Sequence, residues 1–235
     1  MQSVFKLPLA ITVLHRVEKG KLSLSQPVRF AATDRFEMRT VSPLQDKYPQ
    51  ADVNVPLQEL TRLIIVESDN VAAELLLKVV GGAGAVNDYV RSLGVNGFHL
   101  RDGELALHRK RDLQYRNWFE PAGAVQLLRR IGDRSPLNRE HTELLLEWMR
   151  QTPRGAARIP AQLPSGTRTM HKAGSSGTED GRTAAWNDIG LVSLPDGRQL
   201  AIAVFITDSR ADDATRDAVI ARIARAIWDA ATHTR

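Results

Sequence analysis

The chain contains no cysteine. Disulfides and thiolate metal sites are thereby excluded, and the redox compartment leaves no trace in the composition. No run of about 18 apolar residues occurs, so no stretch reads as a membrane span. Residues 7–14 are apolar but short, and they lack both a basic leader and a small-residue cleavage site; they do not read as a signal peptide. Low-complexity tracts and internal repeats are missing too. His15, His99, His141 and His171 follow no metal-ligand spacing, so neither a metal nor a cofactor is expected.

What is present suits a folded, basic protein. Of 235 residues 43% are hydrophobic, enough for a sizeable core, and the length fits one large domain or two interleaved lobes. The net charge is +5 and the pI about 9.8, values that raise the question of nucleic acid. The charge is dispersed, however, mostly as arginine among acidic residues. The nearest basic cluster, Arg109-Lys110-Arg111, is cut off at once by Asp112, so a nucleic-acid partner is not expected.

Apolar spacing divides the chain. Residues 3–19 read as a helix with little polar surface until His15-Arg16, the pattern of a helix buried mid-domain, with Pro8 tolerated in its first turns. Residues 21–56, with four prolines, read as loops and short strands. Helical spacing returns over 57–66 and again from Val71, where Asp69 or Asn70 is a candidate cap and Gly81-Gly82 a stop. A short helix over 84–93, an irregular polar loop over 95–118, and helices over 121–131 and 139–151 follow. After Leu163 the character changes. A strand over 168–175 precedes two β-rich runs, 183–194 and 198–207, joined by the turn Pro195-Asp196-Gly197. An amphipathic helix over about 212–231 places Val219, Ile223, Ile227 and Ala231 on one face, with Trp228 beside them.

Three short motifs carry chemistry. Ser3 and Lys6, three apart on a helix, share a face one turn apart. An amine there takes or relays the hydroxyl proton, and the helix start favours developing negative charge, so Ser3 is a candidate nucleophile. Ser68-Asp69-Asn70 and Lys172-Ala173-Gly174 follow in order. Taken singly each has a plain structural account: a helix cap for the second, a surface turn for the third, solvated loop residues for Glu104 and His108, one solvated arginine among many for Arg158. Tyr115 and Trp118 read as loop-packing aromatics.

The ordered set S-x-x-K, S-D-N and K-x-G resembles the class A serine β-lactamases of the penicillin-recognising superfamily. Glu104 lies in the polar loop where those enzymes carry a general-base glutamate. The text around it, Glu104-Leu-Ala-Leu-His108, and residues 183–197 are similar to the extended-spectrum branch typified by the PER enzymes. The likeness covers essentially the whole chain. It implies an α/β fold of the α+β type, the β-lactamase/transpeptidase-like fold. A helical lobe over about 3–160 would pack beside an antiparallel sheet and C-terminal helix over about 161–235. It also implies β-lactam hydrolysis through an acyl-serine, with a small-molecule substrate, a monomer, and a periplasmic or secreted location.

The resemblance further implies roles. Ser3 attacks the lactam carbonyl. The N–H groups of Ser3 and Ser175 form the oxyanion hole beside Gly174. Lys6 and Glu104 are both candidate bases for acylation, and Glu104 activates the deacylating water with help from His108. Ser68 passes a proton to the lactam nitrogen. Lys172 holds Ser68 and the substrate carboxylate, Asn70 meets the substrate's side-chain amide, and Arg158 supplies a second cation. The alternatives are a penicillin-binding peptidase acting on peptidoglycan D-Ala-D-Ala peptides, which typically lacks the deacylating glutamate, and a non-hydrolytic β-lactam sensor.

Two departures from the family pattern stand out. Ala173 replaces the usual threonine or serine, which removes a hydroxyl from the carboxylate site and implies a weakened or shifted substrate range. Family members also carry a helix and two strands ahead of the nucleophile. The expectation is therefore that the chain begins at an internal methionine of a longer protein, leaving the 198–207 strand without one sheet neighbour and the last helix without a packing partner.

Overall fold

The computed structural model describes residues 1–233, apart from the side chain of Arg111; residues 234–235, the end of the expected second lobe, lie outside it. A 3-10 turn, Gln2–Phe5, leads directly into helix α1, Lys6–Glu18. The helix expected over 3–19 therefore starts more tightly wound. Residues Lys6 to Leu14 of α1 are buried on every side. A helix that is apolar all round can satisfy its surface only by being surrounded.

Strands β1 (Pro27–Phe30) and β2 (Val53–Pro56) form a small antiparallel ribbon. Between them the short helix α2 (Pro43–Lys47) escaped the sequence reading; Ser42 caps it by accepting from the Gln45 N–H. Helices α3 (Leu57–Val66), α4 (Asn70–Val79) and α5 (Ala83–Ser92) pack around α1.

The 95–118 segment is more ordered than its polarity suggested. Strand β3 (Phe98–His99) pairs with β4 (Trp118–Phe119) and closes its base; helix α6 (Glu104–Arg109) and a 3-10 turn over Arg111–Arg116 fill the excursion. Asn117, 3% exposed, pins its interior. Its carboxamide accepts from the N–H groups of Arg101 and Asp102 and donates to the Asp102 carbonyl. Such saturation of buried backbone groups holds a loop that hydropathy alone leaves loose. Helices α7 (Pro121–Gly132) and α8 (Arg139–Gln151) follow.

The second half is an antiparallel sheet of β5 (Thr169–Ser175), β6 (Thr178–Glu179), β7 (Arg182–Ser193) and β8 (Gln199–Ser209), then helix α9 (Asp213–His233). β7 is central: it pairs with β5 and β6 on one side and with β8 on the other. The outer edge of β8 has no strand partner among the described residues. One sheet face, with Met170, Ile189, Leu191 and Phe205, joins the main core; the other, with Val192, Ile202 and Val204, meets α9. Strand alternation makes this two-sided arrangement possible.

The face of α9 differs from the one read from the sequence. Ile220, Ala221 and Ala224 are buried, whereas Ile223 and Ile227 are 40% and 39% exposed. The helix carries two apolar stripes offset by one residue. The sheet takes the one whose small alanines allow close approach to Ile202 and Val204.

Candidate active site

The site lies in a cleft of about 1110 Å³ between the α3–α4 junction, the 104–115 excursion and the open edge of β5. Ser3, Ser68, Asn70, Glu104, Arg158 and Ser175 all line it. Gln2, just before the nucleophile candidate, has φ of +52°. A left-handed non-glycine residue stores strain, which survives only where the surroundings hold it.

Lys6 is the hub. Its Nζ lies 2.9 Å from Ser3 Oγ, 2.8 Å from the Ser68 carbonyl oxygen, 2.5 Å from Asn70 Oδ1 and 3.0 Å from Glu104 Oε1. The side chain is fully buried. Burial disfavours the ammonium and lowers the Lys6 pKa, while Glu104 pulls it back up. Ser3 Oγ donates to Glu104 Oε1 at 3.4 Å. The hydroxyl thus has two proton acceptors at hand, the amine and the carboxylate.

The second motif is held by its own middle residue. Asp69, fully buried, accepts from Ser42 Oγ, the Leu44 N–H and the Ala72 N–H. It is the N-cap of α4, so the choice left open between Asp69 and Asn70 falls to Asp69. With Asp69 turned inward, Ser68 adopts φ of +60°. Its Oγ then sits 2.9 Å from Lys172 Nζ and 3.5 Å from Lys6 Nζ. Asn70 accepts from Lys6 through Oδ1 and donates to Thr40 Oγ1.

Glu104 and His108 are not solvated loop residues. Glu104 is 4% exposed, at the first turn of α6. His108 Nδ1 lies 2.8 Å from the Glu104 carbonyl oxygen, which only accepts, so Nδ1 carries the proton. Its Nε2 faces Thr40 Oγ1 at 3.1 Å. Thr40 therefore links Asn70 to His108. Beneath α6, Glu74 Oε1 accepts from the Leu105 N–H, and burial raises the Glu74 pKa.

Strand β5 forms the opposite wall. Lys172 is fully buried and donates to Ser68 Oγ and the Ala173 carbonyl. Burial above all, and then the neighbouring Lys6, drive its pKa well down. Gly174 is a steric requirement: a Cβ there would sit 2.7 Å from the Met1 carbonyl oxygen and 2.9 Å from the Val4 nitrogen. The Ser176 N–H bonds the Ala185 carbonyl on β7, so the alternating pattern turns the Ser175 N–H off the free edge, toward the 3-10 turn that carries Ser3.

Ala173 and Ser175 share the other strand face with Arg158. Arg158 is only 5% exposed. Its Nε donates to Asp217, Nη1 to the Asn187 carbonyl and Nη2 to Ser175 Oγ, and its guanidinium stacks 4.2 Å from the Trp186 ring. It reaches the cleft chiefly through Ser175. Tyr115 lines the cleft and donates from its hydroxyl to Asp208 across the rim, while Trp118 stacks on His99. Among the described residues no group of three metal-ligating side chains occurs.

The family model described as the beta-lactamase enzyme family matches residues 1–231. The chain belongs to this family. It is 40% identical over 228 residues to the extended-spectrum β-lactamase PER-1 of Pseudomonas aeruginosa, covering 97% of this chain and 74% of that protein. It is 31% identical to a carbapenem-hydrolyzing β-lactamase, KPC, of Klebsiella oxytoca, covering 95% and 73%. Among solved structures, a β-lactamase from Chitinophaga pinensis superposes with a TM-score of 0.94 at 41% identity, covering 98% of this chain and 85% of that one. The chain is accordingly a hydrolase of the class A β-lactamase type, with the mixed helix-and-antiparallel-sheet fold expected. No helix among the described residues is long and apolar enough to cross a membrane.

Sequence reasoning about this β-lactamase missed Thr40, Glu74 and Asn117, which hold the Glu104 segment in place. Thr40 offered no signal, since it meets its partners only through tertiary folding. Glu74, a carboxylate on an otherwise apolar stretch of α4, was the one visible anomaly.

Proposed function

We propose that this protein opens the β-lactam ring of penicillins and cephalosporins through an ester on Ser3 that Glu104 clears with water. Ser3 Oγ attacks the lactam carbonyl carbon, and its proton passes to Lys6 at 2.9 Å or to Glu104 at 3.4 Å. The Ser3 and Ser175 N–H groups receive the oxyanion; the close fit of Gly174 against the 3-10 turn supports that pairing. The C–N bond then breaks, and Ser68, bonded to Lys172, gives its proton to the departing nitrogen and is reprotonated through Lys6 with the proton taken from Ser3, which leaves Glu104 ionised for the next step. Glu104 takes a proton from a water that attacks the ester carbonyl; the Ser3–O bond to the acyl carbon breaks and Ser3 regains its proton. His108, tied to Thr40 and the Glu104 carbonyl, positions this segment. Asn70 and Lys172 meet the substrate's amide and carboxylate, and Arg158 orients Ser175 beside them.

The observation that carries this reading is one hydrogen-bonded set at the cleft: Ser3, Lys6 and Glu104 within 3.4 Å of one another. A carboxylate so close to the nucleophile suits rapid deacylation and counts against both the peptidase and the non-hydrolytic sensor. The helical lobe over about 3–160 and the sheet lobe over about 161–235 account for the cleft between them. By the same family reading the protein is monomeric, periplasmic or secreted, and needs no cofactor.

Turnover of a chromogenic cephalosporin, followed with intact mass, tests this. The parent clears its adduct, whereas Glu104→Ala retains one acyl group on Ser3. A lasting adduct on the parent would favour the sensor or peptidase, and neither colour nor adduct would sink the reading.

A further inference from the structure

The carboxylate wall of the cleft has an unusual distribution of cations. Ala173 offers no hydroxyl, and Arg158 is buried with three of its nitrogens committed to Asp217, Asn187 and Ser175. A second arginine, Arg154, is differently placed. It lies in the turn after α8, is exposed, and lines the same cleft as Ser68, Asn70, Ala173 and Ser175.

The turn that carries it is anchored. The Arg154 N–H bonds Thr152 Oγ1, and that hydroxyl donates to the Val66 carbonyl, two residues before Ser68. Gly155 follows with φ of +83° and presses on Ala173: a Cβ at 155 would lie 2.7 Å from the Ala173 Cβ. The small residue at 173 and the turn bearing Arg154 are therefore in direct steric contact.

Among the described residues no carboxylate lies within ion-pairing distance of the exposed Arg154 guanidinium, whereas the buried cations Lys6, Arg158 and Lys172 are all bonded. Its charge also reaches both Lys6 and Lys172, where it adds to the disfavouring of each ammonium. Carboxylates do line this cleft, but Glu104 is paired with Lys6, so Arg154 keeps a charge that an external anion relieves.

We propose that Arg154 binds the carboxylate of the β-lactam substrate, supplying from the 152–155 turn the contact that Ala173 lacks on β5, and so makes this enzyme selective for anionic lactams. This rests on the hydrolase reading. Arg154 is a specificity-determining residue in this scheme: it holds the carboxylate and leaves the acyl transfer to Ser3, Lys6 and Glu104. A charge-assisted contact to a carboxylate is worth on the order of tenfold or more in affinity.

The test compares kcat/KM for a chromogenic cephalosporin bearing its ring carboxylate with kcat/KM for the methyl ester of that carboxylate. Parent, Arg154→Met and Arg154→Lys are measured at low ionic strength. In Arg154→Met the acid-to-ester ratio is expected to fall about tenfold or more, through KM on the acid, while the ester is hydrolysed as by the parent. Arg154→Lys is expected to restore most of the ratio, because a point charge still attracts the carboxylate. An unchanged ratio in Arg154→Met, or an equal loss on acid and ester, overturns the proposal. A parent that turns over neither compound overturns the hydrolase reading itself, and this inference with it.

Discussion

The two walls of the cleft are built on different principles. On the helical side, Lys6 alone reaches four oxygen partners within 3.0 Å, and Ser68, Asn70 and Glu104 are tied to it and to the body through Asp69 and Thr40. On the strand side the fit is steric: Gly174 against the 3-10 turn and Ala173 against Gly155, with charge held in reserve at Arg154. In the proposed mechanism the first wall makes and breaks bonds, where fixed geometry counts for most. The second lends the Ser175 N–H and Lys172 to that chemistry and also reads the substrate. Ala173, on this second wall, lies outside the bonded set around Lys6.

The largest break in this contrast is expected from Gly174→Ala. The added methyl meets backbone atoms at 2.7 and 2.9 Å, which do not yield as a flexible side chain would. β5 must move off the 3-10 turn, so the Ser175 N–H leaves the oxyanion position, and kcat should drop on the order of 10²-fold or more. Retention of parental kcat would show that the strand wall has slack the structure does not display.

An effect of opposite sign on stability and activity is expected from Lys172→Met. The folded pKa of Lys172 is depressed, so below the ordinary lysine pKa the unfolded chain binds the extra proton more readily. Burying this amine therefore costs stability at neutral pH, and the cost shrinks as pH rises toward 10. The variant should melt a few degrees higher at pH 7 on the basis of about 1–2 kcal/mol, with the gap closing at pH 9–10. Its turnover should fall at least tenfold, because Ser68 loses its partner. A lower melting temperature at pH 7 would mean that Lys172 is a net structural support.

Loosening the helical wall from outside is expected to cost less. Thr40→Val removes the bond that joins Asn70 to His108 and should reduce kcat by several-fold with little change in KM, measured by steady-state kinetics. A change confined to KM would move Thr40 to the substrate-reading side of the comparison.

The smallest effect is expected from Ala173→Thr. With Arg154 holding the carboxylate, the restored hydroxyl should raise kcat/KM less than tenfold in the parent, but by a larger factor in an Arg154→Met background. Equal gains in both backgrounds would show that the two groups do not share one anion.

Much of the site was legible because its chemistry is local. Ser3-x-x-Lys6 and Ser68-Asp69-Asn70 place their reacting atoms through spacings that a helix start imposes, and α1 announces its burial by having no polar face. The excursion around Glu104 was less legible, since a polar composition looks the same whether water or Asn117 satisfies its backbone. Arg158 stood out only through the family resemblance, and Arg154 not at all. Both line the cleft, and burial separates the one committed to Asp217 from the exposed one.

By itself the sequence determined the order of the motifs, the central helix, the hairpin about Pro195-Asp196-Gly197 and the absence of thiol chemistry, because each depends on residue type and near-neighbour spacing. Tertiary structure alone decided which stripe of α9 meets the sheet, which residue caps α4, and which arginine is buried against Asp217. Those outcomes turn on close packing and on the pairing of buried polar groups between segments far apart in the chain, where several local arrangements are nearly equal until one surface is taken.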